Sequence, residues 1–237
     1  MSTSGFVMKT VLCGDANVGK ESIRRRYLGQ GFQSTYLMTI GADFAVKNVT
    51  ITYNGISYPI KFQIWDLAGN PRFDCVRGLY YAGALAAIIV FDVTNRSSFE
   101  NLPNWINQYF HQNGRGALPL VLLGNKRDMR DTTINAVSYE EGQALAATLS
   151  QETSELGFSV AYFETDVLTG QNITEAFQFI GRSFLSFNEV RQNIQKNQWT
   201  SKKTYCPFCG AFQVVTEIHR RTYKKYAVCR KCKNTIW

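Results

Sequence analysis

Apolar and polar positions follow two different periods along residues 5–190. Six short runs of apolar and β-branched residues predict strands, and stretches with helical periodicity separate most of them. Strands that alternate with crossover helices are typical of a mainly parallel, doubly wound α/β sheet with helices on both faces. The predicted strands are 6–13, 44–53, 60–66, 85–93, 119–126 and 158–165, and the predicted helices are 20–28, 97–111, 138–150 and 172–190.

Two of these strands, 44–53 and 60–66, are predicted to pair differently from the others. The sequence NGIS between them favours a hairpin, which gives the six-stranded sheet one antiparallel edge strand. In sheets of this class, ligands bind beyond the carboxyl ends of the strands. We therefore expect the ligand-binding residues at the carboxyl ends of the predicted strands.

The charge of the chain changes abruptly at residue 196. From Lys196 onward there are ten Lys or Arg and one acid, Glu217, a net charge of +9, whereas the preceding residues hold 16 basic and 17 acidic side chains. A break of this size marks a domain boundary. We expect a first domain over 1–192, a polar linker over 193–204 and a small second domain over 205–237.

Composition excludes several classes of protein. With 45% hydrophobic and 14% aromatic residues the chain can bury a core, which excludes a disordered protein. No apolar run is long enough to cross a bilayer, and the first residues lack the pattern of a secretion signal. Residue 2 is serine rather than the glycine that myristoylation needs, and the final residues lack a prenylation box. We expect a cytoplasmic monomer.

Three polar motifs each follow a predicted strand. GDANVGK (14–20) is a glycine-rich turn that opens a helix, an arrangement suited to hold phosphates, with Lys20 reaching the outer ones. DLAG offers the carboxylate of Asp66, suited to hold magnesium through water, and the N–H of Gly69, which can face a terminal phosphate. One such motif can arise by chance, but three in this order indicate a nucleotide site.

The third motif, GNKRD (124–128), selects the base. Asp128 can accept both the N1–H and the 2-amino hydrogens of guanine, which adenine does not offer, and such a site discriminates by about 10⁴ or more. Lys126 would lay its alkyl stem along the base, and Asn125 would tie this loop to the phosphate loop. The alternatives are that Asp128 caps a helix and that Lys126 is a solvated surface residue.

Four longer segments carry a family resemblance: TIGADF (39–44), KFQIWDLAG (61–69), YYAGA (80–84) and FDVTNRSSFENL (91–102). Residues 5–190 resemble a small GTPase of the Ras superfamily, and most of all the Rab family. The resemblance implies a P-loop NTPase fold, GTP or GDP with Mg²⁺ as ligands, and effector and regulator proteins as partners.

The resemblance also implies roles for single residues. Thr39 would ligate magnesium and sense the terminal phosphate, and Phe32 would lie against the guanine. Within ETDVL, the N–H of Val167 would face the guanine oxygen, although Asp166 and Leu168 replace the family's Ser and Lys. The effector-facing surface would include Phe44, Trp65 and Tyr80. The alternative interpretation is that these three aromatics are core residues. The expected nucleotide contacts are Gly14, Asp15, Ala16, Asn17, Val18, Gly19, Lys20, Glu21, Ser22, Phe32, Tyr36, Thr39, Gly69, Asn125, Lys126, Asp128, Asp166, Val167 and Leu168.

The catalytic position departs from the family pattern. The family has a Gln after DxxG that orients the attacking water, whereas this chain has Asn70 followed by Pro71. Asn is shorter by about 1.5 Å, and a misplacement of about 1 Å costs roughly 10²-fold in rate. Pro71 also restricts Asn70 towards extended conformations. With Lys20, Gly69 and Asn70 as the catalytic group, we expect slow hydrolysis of GTP to GDP.

The magnesium position departs as well, because Glu21 stands where the phosphate-loop pattern has Ser or Thr. A carboxylate is an acceptable hard ligand, but a longer side chain makes octahedral geometry at about 2.1 Å hard to satisfy. Ser22 cannot substitute, since one step along a helix turns the side chain by about 100°. With Glu21, Thr39 and Asp66 as the magnesium group, we expect weakened or altered magnesium coordination.

The tail contains four cysteines in the spacing C-x₂-C-x₁₉-C-x₂-C, namely Cys206, Cys209, Cys229 and Cys232. This spacing lies within the range of tetrahedral zinc sites, and four thiolates complete a structural site. A disulfide framework is not favoured in a cytosolic chain. So short a domain builds little core, and the metal would supply the folding energy. The tail therefore resembles a zinc ribbon with structural Zn²⁺.

Basic and aromatic residues interleave in the tail sequence HRRTYKKYAVCRKCK. This composition suits nucleic acid, an anionic membrane surface or an acidic protein, or else a solvated strand face. Membrane contact without a lipid anchor would be reversible. Three functions remain open: a slow GTPase switch in trafficking or other regulation, a pseudo-GTPase interaction module with little or no nucleotide cycling, and a nucleic-acid-binding zinc ribbon regulated by a GTPase fold.

Overall fold

The structure, a computed structural model, describes residues 5–31 and 41–198 and four short strands between residues 203 and 226, with side chains described up to residue 192. The chain divides into two compact units, Met1–Phe187 and Asn188–Trp237. The first unit holds the three polar motifs.

Six strands form the sheet of the first unit: β1 (Phe6–Cys13), β2 (Ala42–Tyr53), β3 (Ile56–Leu67), β4 (Ala86–Asp92), β5 (Leu120–Asn125) and β6 (Ala161–Glu164). Their order is β2-β3-β1-β4-β5-β6. β2 pairs antiparallel with β3, and all other neighbours in the sheet are parallel. The predicted mixed sheet with one antiparallel edge strand is confirmed.

The helices are α1 (Lys20–Tyr27), α2 (Asp74–Tyr81), α3 (Arg96–Glu100), α4 (Leu102–Gln112), α5 (Tyr139–Thr153) and α6 (Ile173–Gln198). Short 3₁₀ turns cover Pro71–Phe73, Arg127–Thr132 and Ser154–Leu156. α5 begins with a capping box, in which the Ser138 hydroxyl accepts from the Glu141 N–H and the Glu141 carboxylate accepts from the Ser138 N–H. This cap fixes where α5 begins.

The core lies on both faces of the sheet, and β4 in its middle shows why. All seven residues of β4 are buried, and successive side chains point to opposite faces. Ile88 belongs to the apolar cluster that contains Phe177 of α6, whereas Ile89 belongs to the cluster that contains Tyr109 of α4. Helices on both faces leave the carboxyl ends of the strands as the place for polar loops.

Several element boundaries differ from the prediction. The helix predicted over 97–111 is two helices, α3 and α4, which meet at Asn101. Pro103 lies in the first turn of α4, where its missing N–H is tolerated, whereas inside one continuous helix it would remove a hydrogen bond. α2 was not predicted as a helix. α6 runs to Gln198, beyond its predicted end and into the segment predicted as a linker.

Two short hairpins are described in the second unit. β7 (Lys203–Tyr205) pairs antiparallel with β8 (Phe212–Val214), and β9 (Glu217–Ile218) pairs antiparallel with β10 (Lys225–Tyr226).

The four tail cysteines lie outside the described residues, so the zinc site stays a prediction. In the part of the chain that the structure describes, no group of three His, Cys, Asp or Glu side chains is placed to hold a metal ion. The same residues contain no helix long and apolar enough to span a membrane.

Candidate nucleotide site

The loop Gly14–Lys20, between β1 and α1, closes around the amine of Lys20. Its Nζ donates to the carbonyl oxygens of Gly14 (2.8 Å) and Asp15 (2.7 Å), and the side chain is only 7% exposed. Burial lowers the pKa of Lys20. A cation held by neutral carbonyls at a helix N-terminus is a suitable partner for the phosphates of a nucleotide.

Two glycines allow this loop to approach its neighbours closely. Gly14 has φ +137° and Gly19 has φ +95°, conformations that other residues rarely adopt. A Cβ at Gly14 would overlap the carbonyl oxygen of Val90, and one at Gly19 would overlap the side chain of Asn125. The loop therefore keeps its shape only with glycine at both positions.

The DLAG motif contacts the phosphate loop directly. Gly69 follows the end of β3, and a Cβ built on it would lie 2.5 Å from the backbone nitrogen of Ala16. No side chain fits in that space. The N–H of Gly69 is thus brought to the edge of the loop that the sequence assigns to the phosphates.

Asp66, near the end of β3, is a fully buried carboxylate. Neither of its oxygens accepts a hydrogen bond from the residues that the structure describes. Burial raises the pKa of this carboxyl to about 7, and the charges of Lys20 and Arg24 act in the opposite direction. Buried carboxylate oxygens without a partner fit a hydrated magnesium ion, which is bound through few protein oxygens.

The other two members of the predicted magnesium group are placed differently. Glu21 is half-buried in the first turn of α1, and its negative charge also raises the pKa of Asp66. Thr39 lies outside the described residues, as do the predicted nucleotide contacts Phe32 and Tyr36. The structure therefore describes Glu21 and Asp66 but not the third predicted ligand.

Asn125, the last residue of β5, joins three loops. Its Nδ2 donates to the carbonyl oxygen of Val18 in the phosphate loop (2.8 Å), and its Oδ1 accepts from the hydroxyl of Thr165 (3.1 Å). The side chain is 1% exposed. Both ends of the amide are satisfied, so the loop with the NKRD motif has a fixed distance from the phosphate loop.

The other two residues of this motif face solvent to different degrees. Lys126 has φ +62°, and its Nζ lies 2.6 Å from Oδ2 of Asp92. Asp128 lies in the first turn of the 3₁₀ turn Arg127–Thr132, and its side chain is exposed. An exposed carboxylate at this position is accessible to an incoming base.

Asp166, one of the two departures in the ETDVL loop, is buried and directed into its own loop. Its Oδ1 accepts from the N–H of Leu168 (2.7 Å), and its Oδ2 accepts from the hydroxyl of Thr169 (2.7 Å). Leu168 itself is 53% exposed. The carboxylate therefore stabilises the turn of its own loop.

Comparison with known proteins agrees with this geometry. The model of the Ras family matches residues 9–186. The chain belongs to the Ras family. The Ras-related protein RAB1BV of Beta vulgaris is 36% identical over 193 residues, which are 80% of this chain and 83% of that protein. The Ypt/Rab-type GTPase YPT7 of Saccharomyces cerevisiae is 34% identical over 78% of this chain and 84% of its own length. Human Ras-related protein Rab-8B is also 34% identical, over 78% and 81% of the two chains.

Asn70 is the residue predicted to take the place of the family's water-orienting Gln. Its backbone is extended (φ −74°, ψ 132°), as Pro71 predicts, and its Oδ1 accepts from the N–H of Arg72 (3.0 Å). The backbone carbonyl of Asn70 accepts from Nη2 of Arg77 (3.0 Å). The side-chain amide therefore caps a 3₁₀ turn in this structure.

Three aromatics of the predicted effector surface form one contiguous row. The ring centroids of Phe44 and Trp65 are 4.9 Å apart, and those of Trp65 and Tyr80 are 5.9 Å apart. Phe44 is 46% exposed, and Trp65 and Tyr80 are partly buried against the core. The row is therefore both a surface and the edge of the core, so the two interpretations of these residues are compatible.

Sequence reasoning missed four residues that shape the site. Asn101 Nδ2 and Trp105 Nε1 both donate to Oδ1 of Asp15 at 2.6 Å, which fixes the phosphate loop from the side of α4. Arg77 is buried and holds the Asn70 carbonyl, and Arg24 is buried beside Asp66. Helical spacing gave a signal for Arg77, since it shares a face with buried Tyr81 four residues later.

Proposed function

We propose that this Ras-family protein is a guanine-nucleotide switch that binds GTP and GDP where β1, β3 and β5 end, and that hydrolyses GTP slowly. The hydrogen bond from Asn125 Nδ2 to the Val18 carbonyl (2.8 Å) supports this most directly. A nucleotide has its base at one end and its phosphates at the other. This bond keeps the loop that would bind the base at a fixed distance from the loop that would bind the phosphates.

Each part of the nucleotide has a matching group. The backbone N–H groups of Gly14–Lys20 and the Lys20 amine would bind the phosphates. Asp128 would accept from the guanine edge, Lys126 would lie along the base, and the N–H of Val167 would face the guanine oxygen. Because Asp128 is exposed, a base can reach it without disturbing the core.

Magnesium, when bound, supplies positive charge that neutralises the charge developing on the phosphates. Asp66 would hold it through water, with Thr39 and Glu21 as the other residues on that side. Asp66 has oxygens suited to this role, because both are buried and have no hydrogen-bond partner among the described residues, but Arg24 Nε lies 3.7 Å from its Oδ2 and competes for the same carboxylate. Glu21 is less suitable, since its carboxylate must fold back to reach a site sized for a hydroxyl.

Slow hydrolysis follows from the state of Asn70. Its amide oxygen is engaged by the Arg72 N–H, and the side chain is one methylene shorter than Gln. Positioning the attacking water would require the cap to break and the amide to extend, and both requirements lower the rate. Gly69 and Lys20 would complete the catalytic group, at the terminal phosphate.

The test is the identity of the nucleotide that the purified full chain carries, together with its affinities for GDP and ADP. We expect guanine nucleotide to co-purify and GDP to bind far more tightly than ADP. A protein that carries no nucleotide and binds GDP and ADP equally would contradict the proposal.

A pseudo-GTPase interaction module is the second candidate, and two observations favour it: the engaged amide of Asn70, and the carboxylate of Glu21 in the first turn of α1, next to the loop proposed to bind the phosphates. Single-turnover hydrolysis of bound GTP separates the two candidates. A rate equal to that of free GTP, with nucleotide still bound, would favour the module.

We further propose that the second unit is a zinc ribbon. The strands β7 and β8 pair on either side of the sequence that contains Cys206 and Cys209, as a hairpin with a metal knuckle requires. Metal analysis should give one zinc per chain, lost when Cys206 and Cys229 are both changed to Ser and retained when exposed Cys75 is changed to Ser. An acidic protein, nucleic acid or an anionic membrane remains its expected partner.

The effector surface would be the row of Phe44, Trp65 and Tyr80, and its partners would be effectors and regulators of a Rab-type switch in trafficking. We expect a cytoplasmic monomer whose basic tail allows reversible contact with anionic membranes. Phe44→Ala should weaken effector binding without changing nucleotide affinity, because the side chain is 46% exposed and lies on β2 away from the phosphate loop.

A further inference from the structure

We propose that Arg24 is a resident cation on the magnesium side of the phosphate site, and that nucleotide binding by this chain therefore depends little on magnesium. The inference rests on the proposed binding of guanine nucleotides, and it adds which group supplies positive charge beside their phosphates. It concerns a side chain of α1 that no motif in the sequence includes.

Arg24 connects α1 with two strands of the sheet. Its side chain is 9% exposed, its Nη2 forms an ion pair with Asp43 Oδ2 on β2, and its Nε lies 3.7 Å from Asp66 Oδ2 on β3. Asp43 and Asp66 are directly opposite each other in the antiparallel pair β2–β3. Two carboxylates in that position repel each other, so the guanidinium lies where positive charge is needed.

The hydrogen-bonding groups that lack a partner are an acceptor on Asp66 and a donor on Arg24, and they carry opposite charges. Neither oxygen of Asp66 has a hydrogen-bond partner among the described residues, and the same is true of the buried Nε of Arg24. Leaving a buried charge without a partner is costly, so these two groups stabilise each other. A guanidinium cannot lose its proton in a protein, and the charge of Arg24 is therefore permanent.

A magnesium ion would have to share Asp66 with this charge. The charged groups on this side are Lys20 and Arg24, both positive, and Glu21, Asp43 and Asp66, all negative. A divalent ion bound to Asp66 would lie close to a buried guanidinium, and the two would repel each other. Arg24 thus supplies, beside Asp66, the positive charge that magnesium would otherwise supply. Because residue 21 is Glu rather than Ser or Thr, the hydroxyl that would bind the ion is also missing.

The two neighbouring arginines do not share this position. Arg25 is turned by about 100° from Arg24 around the helix, and Arg26 Nη2 donates to the carbonyl of Thr169 at 2.9 Å. The Nε of Arg25 is also buried without a hydrogen-bond partner among the described residues, but the ion pairs with Asp43 and Asp66 are made by Arg24. Arg25→Leu is therefore a matched control, since it removes the same charge from the same helix and leaves those two ion pairs in place.

The first experiment measures release of a fluorescent GDP analogue from the full chain across a magnesium titration. Magnesium is removed by desalting rather than by a chelator, so that zinc is not stripped from the tail. In the native protein and Arg25→Leu we expect release to change less than about threefold between zero and millimolar magnesium. In Arg24→Leu we expect at least a tenfold change, and Arg24→Lys should lie between. Steep magnesium dependence in the native protein, unchanged in Arg24→Leu, would overturn the inference.

The second experiment needs no nucleotide and separates this inference from the proposed function. Denaturant unfolding of the nucleotide-free native protein, Arg24→Leu, Asp66→Asn and the double variant gives the coupling between the two side chains. We expect Arg24→Leu to lower the unfolding midpoint clearly in the native background and much less when Asp66 is already Asn. Additive shifts would overturn the role of Arg24. Absence of guanine-nucleotide binding at every magnesium concentration would overturn the proposed function, and the cycle would still decide the pairing.

Discussion

The two ends of the candidate site are held together by different kinds of interaction. At the base end, neutral hydrogen bonds of 2.8 and 3.1 Å satisfy both ends of the Asn125 amide. At the magnesium side of the phosphate end, the buried groups are charged, and neither Asp66 nor the Nε of Arg24 has a hydrogen-bond partner in the described part of the chain. The base end is therefore complete without a ligand, whereas the phosphate end is not.

This difference implies that the two ends respond to substitution in different ways. A neutral network fixes geometry, because each bond has a preferred length and direction. A cluster of charges instead responds to every ion that enters, since charge interactions in a buried site are strong and act over longer distances. We expect substitutions at the base end to change which nucleotide binds, and substitutions at the magnesium side to change how binding depends on metal.

The largest effect is expected at the base end, from Asp128→Asn. The amide keeps one accepting oxygen but turns an NH2 donor towards either the N1–H or the 2-amino group of guanine, so the preference for GDP over ADP should fall by up to about 10⁴-fold. Competition of GDP and ADP against a fluorescent GDP analogue measures it. Asp131→Asn, an exposed carboxylate of the same 3₁₀ turn, is the control and should leave the preference unchanged. Undiminished preference in Asp128→Asn would show that the carboxylate is only a surface residue.

Gly69→Ala tests the point where the phosphate loop meets the end of β3. The added Cβ would lie 2.5 Å from the Ala16 nitrogen, so one of the two loops must move by about 1 Å, and single-turnover hydrolysis should fall roughly 10²-fold. Gly78→Ala is the control, because its Cβ would meet only the end of the Gln112 side chain, at 3.4 Å. Equal rates in the two variants would mean that Gly69 does not approach the reacting phosphate.

Much of the fold and of the base end could be predicted from the sequence. β1 has the predicted bounds, and β4 differs from its prediction by one residue at each end, because continuous apolar runs bounded by polar residues give a clear signal. Asn125 was predicted to join the two loops, and it does so through one hydrogen bond. The place of Asn125 could be predicted because it ends a strand whose apolar run is clear in the sequence.

The magnesium side could not be predicted in the same way. Three consecutive arginines at 24–26 look like a solvated helix face, and only the packing of α1 against β2 and β3 shows that Arg24 turns inward. Asp43 lies opposite Asp66 because of the register of the β2–β3 hairpin. The sequence predicted the hairpin but not its register. Long-range charge pairing leaves no periodic signal in the chain.

Glu21→Ser sharpens the comparison from the metal side. Serine removes a negative charge beside the phosphates and restores a hydroxyl, so magnesium-dependent nucleotide binding should strengthen and release should slow by about tenfold, equivalent to about 1.4 kcal/mol. The effect should be larger in the Arg24→Leu background, where the competing cation is absent. Glu140→Ser, the same exchange at an exposed acid in the first turn of α5, is the control. If the native protein already shows tight magnesium dependence that Ser does not improve, Glu21 is itself a good ligand.

The smallest effect is expected from Asn70→Gln, which acts at the catalytic position between the two ends. Gln extends the amide by about 1.5 Å towards the attacking water, and a gain in positioning of this size should raise single-turnover hydrolysis by up to roughly tenfold. The gain in rate should stay below the roughly 10²-fold that a shift of about 1 Å can give. The reason is that Pro71 and the hydrogen bond from Arg77 to the residue 70 carbonyl still hold the backbone in its present conformation.

The control for this change is Asn107→Gln, an equally conservative extension at an exposed position of α4. A second comparison tests the mechanism itself. Asn70→Ala frees the Arg72 N–H just as a departing amide would, but it supplies no group to orient water, so its rate should equal the native rate or fall below it. Acceleration by both Gln and Ala would mean that the amide cap restrains the loop rather than failing to reach the water. Acceleration by Gln alone identifies reach as the limit on hydrolysis in this chain.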